Sequence, residues 1–453
     1  MAQRTNAQTL LSRGLLAGVD AGTTSVKALL MTPEGEELAV GRAPTTWTAT
    51  EHGEETSAAG LAASAQAALA DALAQVPGAT VLGIGVASMA ESGVLVDAGE
   101  HPLAPVIAWH DSRDRAELQL LQSDLGGAEF SRRTGLPLWT QWSLTKHRWL
   151  RTHVPATTRA ERRYNVGEWI VRSLGGEHVS EASLASRTGW LDLHTGLPWT
   201  DALDWSGAPA TLLGRLVEAG EPTGYARGSG ALAALDGAVL TVAGHDHQVA
   251  ALALGLHRPG DEFDSAGTAE AICRTSAPGL DPEIVLGLTA DGITVGRHAA
   301  PGRWCLLGAT QGGLILGKVL TALGVDRDGL AALDDAAEKA ADRPGAITLG
   351  PGAGEVTIDA AYSQGEVWRA ATTAVTAQAA ALSDRLTGAS GPRGDLVVAG
   401  GWTHSRAVLA AKTAAFGHYR RTTTPEAGCR GAALLAGIAA GVYRDLDDTP
   451  STS

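Results

Sequence analysis

The stretch Leu15-Leu16-Ala17-Gly18-Val19-Asp20-Ala21-Gly22-Thr23-Thr24-Ser25-Val26-Lys27-Ala28-Leu29-Leu30 decides how the rest of the chain is read. An apolar strand ends in a single acid, turns through Gly-Thr-Thr-Ser and resumes as a second apolar strand. Gly22 lets the backbone turn tightly and approach an anion. The hydroxyls of Thr23, Thr24 and Ser25, with the amide N–H groups of the turn, suit phosphate oxygens, and Asp20 stands ready for a metal ion that bridges them. A P-loop is excluded, because it needs Gly-x-x-x-x-Gly-Lys followed by a helix and here strand leads to strand. An ordinary β-hairpin would use the same glycine and threonines, so the stretch alone leaves both readings open.

At 453 residues the chain is long for one core, which predicts two domains with a cleft between them. Lys plus Arg number 35 against 49 Asp plus Glu, a formal charge of -14 that opposes broad contact with nucleic acid or an anionic membrane. A small soluble partner is expected instead, and a nucleotide would need local positive charge from Mg2+, amides or a few lysines. Cys273, Cys305 and Cys429 lie far apart without Cys-x-x-Cys spacing, so neither a disulfide framework nor a zinc ribbon is indicated and a reducing cytoplasm is expected. Residues 1–13 are polar and the next apolar stretch is interrupted by Asp20, so no secretion signal is expected, and the nearly apolar tract 431–443 is too short to cross a bilayer and reads as a buried helix.

Outward from the hairpin, residues 15–42 read as a three-strand meander, 58–75 as a helix and 81–87 as a strand that feeds Ser88-Met89-Ala90-Glu91-Ser92. Strands follow at 93–97 and 102–109, the latter running into His110-Asp111-Ser112-Arg113. A helix-rich, tryptophan-rich middle spans 115–235. A second unit opens with strand 238–243, the string Gly244-His245-Asp246-His247 and a helix over 248–256. Strand 261–265 leads to Ala266-Gly267-Thr268, which repeats the Ala-Gly-Thr of positions 21–23 in the same strand-turn-strand setting. Strand 395–399, the turn Gly400-Gly401-Trp402 and a helix over 403–416 follow.

Seven stretches, VDAGTTSVKALL, PVIAWHDSRDRAE, LASRTGWLDL, AGHDHQVAALALGL, DSAGTAEAI, VVAGGWTHS and EAGCRGAALLAGIAAG, resemble in their order the FGGY carbohydrate kinases of the actin- and hexokinase-like ATPase superfamily. The resemblance implies an α/β fold of two RNase H-like, actin-like ATPase domains flanking a deep cleft. The first would span 14–243 and hold the sugar and the phosphate hairpin. The second would span 244–443 with the base and the adenosine pocket, and 1–13 and 444–453 would be disordered tails. It also implies ATP and Mg2+ as cofactors and a sugar or polyol as the partner; a homodimer is left open.

Roles carried over by the resemblance each have a chemical reason. Asp246 would be the general base that takes the acceptor hydroxyl's proton, a task for a carboxylate at a strand end; capping of the following helix is its structural alternative. Asp20, with Asp246, would serve Mg2+, while Gly22, Thr23, Thr24 and Ser25 meet the phosphates and Lys27 faces either phosphate or solvent. Gly267 and Thr268 would cradle phosphate, and Gly400, Gly401 and Trp402 would line the adenosine pocket. Glu91 and Asp111 are the candidates for acceptor hydroxyls, with an Asp111–Arg113 or –Arg115 ion pair as the rival reading. His245 and His247 would share one strand face opposite Asp246; His245 is the candidate for the acceptor, and a third ligand for zinc is lacking. Glu91 matches the glycerol-kinase-like Gln-Arg-Glu-Thr pattern, but Ala90 lacks its arginine. The expected activity is therefore ATP-dependent phosphorylation of a sugar, a xylulose-like pentulose first and glycerol or a short polyol second. The non-enzyme alternatives are an actin- or chaperone-like ATPase and a catalytically silent sugar sensor.

Overall fold

A computed structural model describes residues 14–350, 352, 354–422 and 424–451. Along the chain, β1 (Leu15–Ala21), β2 (Ser25–Met31) and β3 (Glu37–Pro44) precede α1 (Ala58–Ala74) and β4 (Val81–Ser88). After the helix-rich middle come β5 (Val239–His245), α2 (Asp246–Ala253), β6 (Glu262–Ala266), β7 (Glu270–Ser276), β8 (Trp304–Thr310) and α3 (Gly312–Leu323). The chain closes with α4 (Gln364–Ser390), β9 (Leu396–Ala399), α5 (Arg406–Phe416), β10 (Arg420–Arg421) and α6 (Ala427–Ala439).

Two compact units result. Unit 1 holds the described residues up to His257, Asp281–Cys305 and the residues from Thr424; unit 2 holds Arg258–Leu280 and the described residues from Leu306 to Thr422. A cut at 243/244 falls inside unit 1, between β5, which pairs in parallel with β4, and α2, which lies directly against α6. The segment 281–305 and the C-terminal residues return to unit 1, which no local sequence signal announces.

Each unit carries the same strand order. In unit 1 the sheet runs β5-β4-β1-β2-β3, with β1-β2 and β2-β3 antiparallel and β1-β4 parallel. In unit 2 the order β8-β7-β6-β9-β10 recurs within a six-stranded sheet, with β6-β7 antiparallel and β6-β9 and β9-β10 parallel. The Ala-Gly-Thr turn sits between the first two strands of each set. In unit 1, β1 is a continuous apolar run because both neighbours and a covering helix exclude water from it. That helix is α6. A Cβ placed on Gly18 would stand 1.8 Å from the Cys429 carbonyl oxygen, so the small residues of strand and helix are what allow backbone to meet backbone.

Several boundaries differ from the sequence reading. The expected strand 102–109 shrinks to Val106–Ile107, since Pro102 and Pro105 supply no ladder donors. The expected helix 403–416 begins at Arg406: Gly401–His404 form a 3-10 turn, and Ser405 caps α5 by accepting from the Val408 N–H at 3.3 Å. Residues 444–451, expected to be disordered, contain a 3-10 turn at Leu446–Asp448, where the Asp445 carboxylate accepts from the Asp448 N–H at 3.1 Å. Residues 1–13 lie outside the described residues.

Candidate active site

The hairpin turn in unit 1 is held from outside. Gly22 N–H donates to the Ser25 carbonyl at 3.1 Å, Thr45 Oγ1 donates to the Gly22 carbonyl at 2.9 Å and Trp47 Nε1 to the Thr23 carbonyl at 2.7 Å. Trp109 Nε1 donates to Thr23 Oγ1 at 3.0 Å, which ties the Trp-His-Asp loop to this turn. Thr24 is exposed, and Thr23 and Ser25 are half-buried.

Asp20 Oδ1 is buried without a hydrogen-bond partner, and the carboxylate lies against the first turn of α6, 2.4 Å from where a Cβ on Gly428 would stand. Burial pushes its carboxyl up to about 7, the charge of Asp246 adding to the rise while Lys27 and His247 oppose it. An orphaned carboxylate oxygen beside a second carboxylate is what a hard divalent cation relieves, so these residues fit Mg2+. Lys27 is partly exposed and ion-paired: its Nζ is 2.8 Å from Glu426 Oε2, and Arg42 reaches the other oxygen of the same carboxylate.

Asp246 opens α2 directly after β5. Because the strand ends at His245, where Gly244 takes φ +108° at a register shift, the two histidines do not share a face away from Asp246. Both turn toward it, His247 Nδ1 at 2.8 Å and His245 Nε2 at 3.3 Å from Asp246 Oδ1, and the His247 backbone N–H donates to the same oxygen at 2.6 Å. Burial alone would raise the Asp246 carboxyl, but His247 and His245 outweigh it and hold it well below the usual carboxylate range. Burial drives His245 itself down to about 3. The His245 side chain does not cap the helix; its Nε2 lies beside the Asp246 carboxylate, while its Nδ1 is buried without a hydrogen-bond partner.

Glu91 and Asp111 part company. Asp111 is closed by Arg113, whose Nη2 donates at 2.8 Å and Nε at 3.1 Å, and by the Glu54 N–H at 2.9 Å, so the ion-pair alternative describes it. Burial would raise its carboxyl, yet Arg113 holds it below the ordinary value. Glu91 has φ +65°, a left-handed conformation uncommon for a residue with a Cβ, fixed by Arg163 Nη2 and Ser143 Oγ donating to its carbonyl at 2.8 and 2.7 Å. Its Oε1 accepts from Arg187 Nε and, at 3.2 Å, from Gln141 Nε2; Arg187 Nη1 donates to Thr294 Oγ1 at 3.0 Å. The arginine missing beside Glu91 in sequence is thus supplied by Arg187. Trp142 lies under its guanidinium at 5.3 Å, with Trp139 stacked on Trp142 and exposed.

Within unit 2, Gly267 and Thr268 form the turn between β6 and β7, and the first turn of α3 closes on it: a Cβ on Gly313 would meet the Gly267 carbonyl at 1.8 Å and Trp402 Nε1 at 2.7 Å. Gly267-Thr268, Gly313 and Trp402 are therefore neighbours, while Gly400, at φ +104°, and Gly401 are exposed beside them in the chain. Gly313, Gln141, Arg187 and Thr294 were not singled out by the sequence; Arg187 lies inside the quoted LASRTGWLDL stretch, where its side chain's partner is invisible.

The FGGY family of carbohydrate kinases, N-terminal domain, matches residues 15–253. A xylulose kinase from Streptomyces rubiginosus is 31% identical over 327 residues, covering 69% of this chain and 64% of that protein, so the chain spans just under two thirds of this relative. A glycerol kinase from Janthinobacterium sp. (strain Marseille) is 29% identical over 78% of this chain and 70% of its own length. The crystal structure of a xylulose kinase from Rhodospirillum rubrum has the same fold, with a TM-score of 0.87 at 24% identity over 97% of this chain and 93% of that one. No described helix is long and apolar enough to cross a membrane. The chain belongs to the FGGY family of carbohydrate kinases.

Proposed function

We propose that the chain is an ATP-dependent carbohydrate kinase that transfers the γ-phosphoryl group of ATP to a hydroxyl of a sugar or polyol, with a xylulose-like pentulose as the favoured acceptor. The observation that carries this reading is Asp246, an ionised carboxylate steadied by two histidines in the same unit as the orphaned Asp20. Asp246 takes the proton of the acceptor hydroxyl as its oxygen bonds to the γ-phosphorus and the bond to ADP breaks; orienting the hydroxyl matters more than basicity. Asp20, with Asp246 nearby, would hold Mg2+, which when bound offsets charge on the phosphates. Thr23, Thr24 and Ser25 would donate to phosphate oxygens. In unit 2, Gly267 and Thr268 would take phosphate, and Gly400, Gly401 and Trp402 the adenosine. Three unbridged cysteines support a cytoplasmic setting.

Glycerol or a short polyol is the second reading, favoured by the Glu91–Arg187 pair, which restores the glutamate and arginine of the glycerol-kinase-like pattern. A coupled ADP-release assay over ketoses, aldoses and polyols tests the proposal. Acceptor-dependent ADP release that disappears in Asp246→Ala is expected. ADP release indifferent to every acceptor would point to an ATPase, and its absence with acceptor still bound would point to a sugar sensor.

A further inference from the structure

Strand alternation continued through Asp246 leaves the two neighbouring histidines one ligand short of a metal site, but β5 ends at His245 and all three side chains meet. The third ligand is Asp246 itself. His247 Nδ1 lies 2.8 Å and His245 Nε2 3.3 Å from Asp246 Oδ1, and one ligand atom from each residue falls within 4.8 Å of the others. Zinc bonds of about 2.0–2.1 Å at tetrahedral angles set ligand atoms roughly 3.3–3.4 Å apart, so a small shift of the partly exposed His247 ring completes the set. The two rings are tilted 40° to each other with centroids 5.6 Å apart, and so flank the carboxylate rather than stack. Only 7% of the His245 side chain is exposed against 40% of His247, so an ion enters from the His247 side and keeps an open position there.

Ligand type decides which ion this set takes. Mg2+ binds oxygen and keeps its waters, which suits the orphaned Asp20 oxygen, whereas paired imidazoles beside one carboxylate select a d-block divalent ion such as Zn2+ or Co2+. Three protein ligands with an open position make a site that exchanges its ion with solvent rather than a sealed structural one. A carboxylate committed to that ion no longer offers the same lone pair to an acceptor hydroxyl. We infer that His245, Asp246 and His247 form a binding site for a d-block divalent cation, separate from the Mg2+ of the nucleotide, and that its occupancy withdraws Asp246 from the acceptor and stops transfer. The inhibitory consequence rests on the kinase reading proposed above; the site itself does not.

The test adds metal ions to the full chain. Without nucleotide, Co2+ titrated into the wild type should give the visible absorption of a low-coordinate, imidazole-ligated ion, and His247→Ala and Asp246→Asn should each weaken its binding by at least about 10-fold. Should Asp246→Asn fail to fold, His247→Ala carries this arm, because it trims a partly exposed ring. An equal concentration of Mg2+ should leave the Co2+ affinity within about 2-fold. The second arm measures turnover with MgATP and the best acceptor at free Zn2+ buffered to about ten times its dissociation constant, itself read by displacement of Co2+. Wild-type turnover should fall by about 10-fold and recover on chelation, while His247→Ala loses less than about 3-fold of its own zinc-free rate. Co2+ that does not bind, that binds His247→Ala equally well, or that an equal concentration of Mg2+ displaces would overturn the inference, as would turnover indifferent to Zn2+; each leaves the kinase reading standing. A His247-dependent Co2+ site in a chain that turns over no acceptor, with MgATP still bound, would overturn the kinase reading and the inhibitory role together while leaving the metal site.

Discussion

The two hairpins, β1-β2 in unit 1 and β6-β7 in unit 2, share an Ala-Gly-Thr turn and the same place in the same strand order, yet they handle their acids differently. In the first, Asp20 precedes the turn and keeps Oδ1 buried and unpartnered, while the nearby lysine, Lys27, is spent on Glu426. In the second, Ser265 stands at the matching position. The acids of those strands, Asp264 and Glu270, both contact the Lys412 ammonium, with Nζ 2.5 Å from Glu270 Oε1. Glu270 Oε2 also accepts from Thr310 Oγ1 at 3.0 Å, just before α3. One hairpin shape is therefore left open to a cation in unit 1 and braced by an internal one in unit 2.

Breaking the brace should have the largest effect. Lys412→Met leaves two buried carboxylates without their cation and should cost about 3–5 kcal/mol, whereas Lys27→Met, at a partly exposed pair, should cost less than about 1 kcal/mol. Denaturant unfolding of the two variants checks this, and equal losses would contradict it. Next in size, Asp20→Ala should lower Mg2+-dependent turnover by at least about 100-fold with every acceptor, while Ser265→Ala at the matching position should change it by less than about 3-fold. Similar losses in both would erase the contrast.

A smaller effect is read from pH. Burial pushes the Asp264 carboxyl up to about 7, with Glu270 adding and Lys412 opposing, against an ordinary 3.8. The folded state therefore holds this proton more tightly than the unfolded chain. Its contribution to stability is full below about pH 4 and is lost as the pH rises through about 7. Asp264→Asn should flatten that part of the melting-temperature profile, and an unchanged slope would count against the assignment. The smallest expected change is kinetic: His247→Asn removes a group that lowers the Asp246 carboxyl, so the acid limb of kcat/KM should move to higher pH.

What the sequence made legible was contiguous. Asp20, Gly22, Thr23, Thr24 and Ser25 lie within six residues, and the strand pattern around them reports the hairpin directly. The repeat was visible only as three identical residues, since the matching strand order depends on pairings between distant segments. What escaped were partners supplied from far along the chain: Arg187 for Glu91, Glu426 for Lys27 and Gly313 for Gly267. Strand alternation continued through Asp246 puts the two histidines on the opposite face, whereas the positive φ of Gly244 and the start of α2 at Asp246 end the strand at His245. The 243/244 boundary differed for a related reason, as 281–305 and 424–451 rejoin a unit built mostly from the first half.

The central claim is that Asp246 activates the acceptor and does not serve to bind nucleotide. The most direct measurement is single-turnover phosphoryl transfer in Asp246→Asn beside calorimetric titration of the same protein with MgATP. Transfer slowed by at least about 100-fold, with nucleotide affinity within about 3-fold of wild type, is the predicted result. Transfer within about 3-fold of wild type, or a loss of affinity that accounts for the whole defect, would contradict it.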